Sequence, residues 1–459
     1  MNSTSVPQPK QYPAKKFTLP LKFPYSKVEV AIWLVLFFGA FTGHLKRYLP
    51  FSDTLVTIVY DLSCFGLLGA VLLKRLSRSR RLPYSKSTPA IVVFTSFALV
   101  TAFNPLLASI TQGLLGWRFL ASGILLHFLG FYAFEQVNQI WRFLRVFWIT
   151  AFLISLYGLV QLIRGYTAIE LVWIQQLSAT MMIAGTGRYR LMSTLGSAVD
   201  LGFYLTLAIS TLSTVILFKC PSQRRLFALV PMVVALLFTF VRAAWFATSV
   251  AVFIAAVRLF WHKKILRLLF PVILLLVVTS ILWFPRLILA ISPYLENPAL
   301  NERIASLATP LQDASILDRV RTWTGIWTVV KDNPYGVGVG MSGAASLRYN
   351  ATIPTIITTD NTYLKVVLET GWVGLFLFFW LLSTIFLHGI TLSMILYGDL
   401  KRLAIVFTTS FVAFIVLLFF GEYIELNPSR NILWIFSGIL FSLPRFNSLS
   451  ANNYDRITH

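Results

Sequence analysis

Apolar runs long enough to cross a bilayer recur from one end of this 459-residue chain to the other. A membrane-spanning helix needs about 20 mainly apolar residues. Twelve stretches approach that requirement: roughly 28–44, 54–73, 90–108, 115–134, 143–163, 199–218, 226–241, 243–261, 268–290, 363–388, 403–420 and 430–445. The shorter ones require tilt, snorkelling or a kink, with Pro105, Pro231, Pro271 and Pro285 as expected kinks or boundaries. A chain that is 57% apolar and 12% charged, with mean hydropathy +0.75, is far from a soluble globular composition. The expected fold class is an all-α polytopic integral membrane protein of about twelve transmembrane helices.

The net charge of +22 raises the question of nucleic acid. A nucleic-acid binder gathers its basic residues on one soluble face, whereas here they fall between apolar runs, so that class is set aside. Their spacing instead orients the chain, because cytoplasmic loops carry the excess of lysine and arginine. KRLSRSRR (74–81), Arg224–Arg225, HKKILR (262–267) and Lys401–Arg402 all fall on one side when both termini are cytoplasmic. The domain reading is then a disordered cytoplasmic tail (1–27), a transmembrane domain (28–445) and a C-terminal cytoplasmic tail (446–459). Segments 164–198, 291–362 and 421–429 lie outside, 291–362 being the large loop. The first 27 residues lack the apolar core of a signal peptide. Cys64 in a span and Cys220 at a cytoplasmic end are not expected to pair, and five scattered histidines form no metal-ligand pattern. No metal and no cofactor are expected.

Two runs in the last third stand apart: Ser315–Gly343, SILDRVRTWTGIWTVVKDNPYGVGVGMSG, and Thr359–Leu375, TDNTYLKVVLETGWVGL. The first reads as an amphipathic helix with a capping-box pattern at Ser315 and Asp318. Leu317, Val320, Trp323 (or Thr324), Trp327 and Val330 form its apolar stripe. Asp332-Asn333-Pro334 ends it, since the residue before a proline is pushed from helical geometry. Gly336, Gly338, Gly340 and Gly343 then permit positive φ. No Gly-Lys-Ser/Thr follows them, so they are no P-loop; an anion nest or a flexible connector remains. The second run turns into a membrane helix, on which Lys365 and Glu369 are spaced to neutralise each other. Gly371 and Gly374 are expected to allow close helix packing.

DRVRTWTGIWTVVKDNPYGVGVG resembles the DR…W…P…G.G block of the O-antigen ligase and polymerase superfamily. DNTYLKVVLETGWVGL resembles the HN.YL…E.G..G block that follows it there, in the same order and at the same spacing. One position departs: Asp360 stands where the family usually has histidine. The resemblance implies a membrane glycosyltransferase whose donor is a glycan on a polyprenyl pyrophosphate carrier. Its acceptor would be a sugar hydroxyl on a lipid or growing chain, and transfer would invert the sugar, without metal, at the outer face of the bacterial inner membrane. Membrane lipids are the other expected partners.

Site residues follow from that implication and from the chemistry of each side chain. Arg242, between two tightly joined spans, is either a pyrophosphate ligand or a snorkelling arginine. Arg319 occupies the family's DR position and Arg321 follows it; a guanidinium fork suits phosphate oxygens. Their alternative is pairing with Asp313 or Asp318. Arg188 and Arg190, before the sixth span, fit pyrophosphate or lipid-headgroup anchoring. Asp360 is read as the general base for the acceptor hydroxyl or as a helix N-cap, a role open equally to Asn361, which is otherwise a substrate contact. If Asp360 is not the base, Glu422 and Glu425 are next. A small-anion transporter or channel with Arg242 in its pathway is the rival class; it predicts paired halves with discontinuous helices, and no internal repeat is seen.

Overall fold

A computed structural model of the protein describes residues 25–49, 53–79, 83–177, 181–183, 188–218, 222–260, 314–349 and 358–455. Helices α1 (Lys27–Ala40) and α2 (Thr42–Tyr48) meet at a 54° bend. Then follow α3 (Asp53–Ser79), α4 (Thr88–Thr101) and α5 (Ile110–Leu120). A 3-10 turn, Ser122–Leu125, leads at a 46° bend into α6 (Leu126–Ala133). Next come α7 (Val137–Arg164), α8 (Ala168–Gln176), α9 (Ala198–Phe218), α10 (Gln223–Phe238) and α11 (Arg242–Phe260). The last third holds α12 (Ala314–Asp332), α13 (Gly343–Tyr349), α14 (Thr362–Ile395), α15 (Gly398–Phe420) and α16 (Ser429–Asp455). An unexpected two-stranded hairpin, β1 (Met182–Ile183) against antiparallel β2 (Arg188–Tyr189), precedes α9.

Among the described residues, five helices are long and apolar enough to cross a membrane: α3, α7, α9, α14 and α15. Counting each bent pair as one broken span gives up to seven, and α4 is a shorter apolar helix. The count of twelve is thus reached only in part. At 16 residues α10 is about 24 Å long, short of a ~30 Å hydrocarbon core. The expected span 268–290 lies outside the described residues. Pro231 sits within α10 without ending it, and α16 runs past residue 445 to Asp455.

The buried centre is built by α9 and α15, with 78% of each apolar window inside the protein. Their hydroxyls do not break the helices. Thr206, Ser210 and Thr214 of α9 each donate to the carbonyl four residues back, at 2.8, 2.5 and 2.7 Å, so polar atoms enter the core already satisfied. Phe203, Phe407, Phe411, Phe414 and Trp434 fill the space between α9, α15 and α16. By contrast α3 leaves Leu55, Leu62 and Leu73 exposed, as a helix facing lipid does.

Contacts at the helix ends sort the molecule into two faces. At one, Arg142 grips Glu29 at 2.6 and 3.0 Å, and Glu135 gathers Lys74, Arg75 and Arg78. At the other, buried Arg47 is held by Glu170 and by the carbonyls of Ser193 and Leu195, while the Leu191 N–H bonds the Phe238 carbonyl at the end of α10. Burial raises the Glu170 carboxyl, but the Thr167 N–H, Tyr157, Gln161 and Arg47 outweigh that and hold it below the usual range.

Candidate functional site

The site is assembled where α14 breaks. Gly371 has φ 68°, which interrupts the helix and releases the carbonyls of Leu368 and Glu369 from their helical partners. The glycine segment after α12 takes them up: Val337 N–H bonds Leu368 O at 2.9 Å and Gly338 N–H bonds Glu369 O at 3.0 Å. Trp372 N–H returns a bond to Pro334 O at 3.1 Å. From the other side, Asn104 and Gln112 donate to the carbonyls of Gly336 and Gly340. Gly336, Gly338 and Gly340 all have φ between 86° and 102°, so positive φ is used as the sequence indicates. The nest and the flexible connector are both corrected: the N–H groups of Val337 and Gly338 serve carbonyls, and the segment is packed. Gly371 is a helix break and also a close-packing position, where an added Cβ would lie 2.5 Å from the Pro334 carbonyl oxygen.

The segment carries Ser342 and Gly343 into a buried charge cluster. The Lys365 ammonium donates to Ser342 O and Glu369 Oε1, both at 2.9 Å, and pairs with Glu425 Oε1 at 2.9 Å. Ser342 donates its N–H and hydroxyl to Glu369 at 3.0 and 2.9 Å, and Ala344 N–H reaches Glu425 Oε2 at 3.0 Å. Lys365 and Glu369 therefore do neutralise each other, within a larger set than helix spacing shows. Glu422 completes it, its Oε1 accepting from the N–H and hydroxyl of Thr359 at 2.6 and 2.7 Å. Burial pushes the Glu422 carboxyl up to about 7; Lys365 opposes this, and Glu425 adds to it.

Thr359 also ties in α12, because Trp323 Nε1–H donates to its carbonyl at 3.2 Å. That helix docks through Trp323, Ile326 and Val330 onto Leu364, Val367 and Leu368. The expected stripe is thus corrected: Val320 and Trp327 are exposed, at 48% and 40%, and Trp327 lies against Trp372. The side chains of Ser315, Leu317 and Asp318, and Asp313 altogether, lie outside the described residues. The helix does stop at Asp332.

Next to Thr359, Asp360 adopts φ 47° and faces Arg319, with Nε to Oδ2 at 3.8 Å. Both side chains keep surface, 36% for Arg319 and 48% for Asp360. The helix cap is Asn361, whose Oδ1 accepts from the N–H groups of Tyr363 and Leu364 at 2.9 and 3.2 Å. Of the two candidates for the cap, Asn361 takes it and leaves the Asp360 carboxylate to Arg319.

The other arginines surround this corner unequally. Arg242 opens α11, exposed, just after the tight turn in which Phe240 has φ 53°. Its neighbour Val241 lies against Gly202 of α9, and Phe203 there packs on Tyr423. Tyr423 in turn feels the charges of Arg319, Asp200 and Asp360, so these belong to one end of the bundle. Arg321 is exposed on α12. The Arg190 backbone holds the β-hairpin, through Met181 O and the Tyr166 hydroxyl, beside the α10–α11 turn; the Arg188 side chain lies outside the described residues. Residue spacing misses Ser342 and Thr359, gives Gly343 only as a positive-φ position, and shows Glu422 and Glu425 only as external acids.

Fold and site define a polytopic membrane protein with a helix, α12, docked beside a buried carboxylate–lysine cluster at one end. Residues 227–379, one third of the chain, match the family model described as O-Antigen ligase. That match supports the resemblance of the sequence to the O-antigen ligase/polymerase superfamily. It spans Arg242, Arg319, Arg321, Asp360 and Asn361, while Glu422, Glu425, Arg188 and Arg190 fall outside it. No curated protein matches the chain.

Proposed function

We propose that this protein transfers a glycan from a polyprenyl pyrophosphate carrier to a sugar hydroxyl, at the outer face of the bacterial inner membrane. The observation that carries the reading is the half-exposed Arg319–Asp360 pair, presented by two separate stretches of the matched region. Arg319, with Arg242 from the α10–α11 turn and support from Arg321 and the Arg188–Arg190 hairpin, neutralises the departing pyrophosphate. Each well-placed donor contributes about 3 kcal/mol to the transition state. Asp360 takes the proton of the acceptor hydroxyl while its oxygen bonds to the anomeric carbon and the carbon–phosphate-oxygen bond breaks, inverting the sugar. Asn361 holds Asp360 in place from the helix cap. The distribution of lysine and arginine along the sequence then has both termini cytoplasmic and α12 external.

Arg242→Ala and Arg319→Ala, each in the purified full chain, test the reading with a polyprenyl pyrophosphate-linked glycan and acceptor. Both are expected to lose transfer with unchanged thermal unfolding. Lysine at either position recovers little, since a point charge lacks the fork that spans two phosphate oxygens. Wild-type activity in both lysine variants would overturn the bidentate role. Mass spectrometry of co-extracted lipid separates this reading from anion transport: a pyrophosphate-linked glycan supports transfer, and phospholipid alone counts against it.

A further inference from the structure

We infer that Glu422 is a positioning residue that presents Asp360 and Arg319 to each other, acting through Thr359. Thr359 is fully buried, and each of its polar groups is engaged: N–H and hydroxyl on Glu422 Oε1, the hydroxyl also within 3.0 Å of the Asn361 carbonyl oxygen, and the carbonyl on Trp323. Trp323 lies one helical turn from Arg319, so the bond to the Thr359 carbonyl sets where the guanidinium falls. On the next residue, Asp360 holds a left-handed φ of 47° that non-glycine residues keep only when their surroundings over-determine it. Those surroundings are two clamps: Asn361 capping α14 behind it, and Glu422 gripping Thr359 in front.

Glu422 reaches Thr359 from the loop between α15 and α16, far along the chain and outside the matched region. The room for it is made by Gly343, with φ 69°, where an added Cβ would collide with oxygens of both Glu422 and Glu425. A single oxygen, Oε1, accepts both Thr359 bonds, and a carbonyl-type oxygen accepts them in the charged or the neutral carboxyl. The grip therefore needs an acceptor at this point and not a charge, which distinguishes positioning from proton transfer by Glu422 itself.

The activity arm of the test rests on the glycan-transfer reading; the exchange arm does not. Wild type, Glu422→Gln, Glu422→Ala and Thr359→Val are compared in amide hydrogen exchange over 358–364 and in kcat and KM for transfer. Gln keeps an acceptor oxygen, so its exchange stays near wild type and its kcat falls within about fivefold. Ala removes the acceptor of the Thr359 N–H: exchange there rises at least about tenfold, and kcat drops about a hundredfold with little change in KM, as for an ångström-scale misplacement. Thr359→Val, which loses one of the two bonds, falls between them, and adding it to Glu422→Ala costs little more. Equal loss of kcat in Gln and Ala with wild-type exchange would show that Glu422 acts by its own charge or proton, and overturns positioning. Unchanged exchange in Glu422→Ala overturns it too. If the wild type transfers no glycan but exchange responds as stated, the reaction reading fails and the clamp stands.

Discussion

Asp360 illustrates what a single position can and cannot disclose. The residue preceding α14 is expected from its chemistry to cap the helix or to act as a base, and Asp or Asn serves the cap equally well. The structure gives the cap to Asn361 and turns Asp360 toward Arg319 through a left-handed backbone. Stability and activity should therefore separate at this site. Asp360→Asn and Asp360→Gly suit φ 47°, so both are expected to unfold at or above the wild-type temperature while losing transfer. Asp360→Ala should lose transfer and also about 1 kcal/mol of stability, from the strained φ. A fully active Asp360→Asn protein would remove Asp360 from the chemistry. Glu422 adds a pH signature. Its carboxyl titrates near 7 in the folded state and near 4.3 when unfolded, so the folded protein holds the extra proton between these values. Its contribution is complete below about 4.3 and is lost as pH rises through about 7. Glu422→Gln should flatten that decline in a thermal-unfolding series from pH 4 to 8. The guanidinium and carboxylate chemistry of this corner is legible residue by residue; the pairing of Arg319 with Asp360 is not, because nearer aspartates in sequence compete for it on paper.

At the scale of elements, the helices are legible and their interruptions are not. Hydropathy reads 363–388 as one continuous span, whereas α14 opens at Gly371 and lends two carbonyls to the glycine segment. The four glycines signal positive φ correctly, but their partner is a helix break that periodicity hides. The apolar stripe of α12 is displaced for a related reason: the helix docks by Trp323, Ile326 and Val330, and its Trp327 edge stays open beside Trp372. Gly336→Ala probes this joint directly. A methyl there meets the backbone of Glu369 and Gly371, at a φ of 86° that alanine resists. The expected cost is about 2 kcal/mol, combining positive-φ strain with overpacking. Limited proteolysis should cut variant chains between 332 and 343 sooner than wild type. Alanine at Gly325, which faces open space within α12, is the control and should raise stability slightly by helix propensity.

Across the whole molecule, the two faces of the bundle differ in kind. One carries Lys74, Arg75, Arg78 and Arg142 with Glu29 and Glu135, all near helix ends and, apart from the buried Glu29, partly open. The other carries the buried Arg47–Glu170 clip, the Lys365 cluster and the docked α12. Basic residues concentrate on the cytoplasmic side of membrane proteins, so we propose that the first face is the inward one. The clip shows how far such a face is from a string of loops: Arg47 links α2 to α8 and to the turn at Ser193. Sequence periodicity does not reveal it, since its partners lie on separate segments. Sidedness is open to a direct measurement. Thr328, exposed on α12, and Lys401, exposed at the start of α15, lie at opposite ends of the bundle and are each replaceable by cysteine once Cys64 and Cys220 are removed. A membrane-impermeant maleimide applied to intact spheroplasts should label Thr328→Cys and spare Lys401→Cys. Permeabilisation should then expose the second. The reverse pattern would place the Arg319–Asp360 pair in the cytoplasm, where a transfer reaction drawing on an externally presented, carrier-linked glycan could not be run by this site.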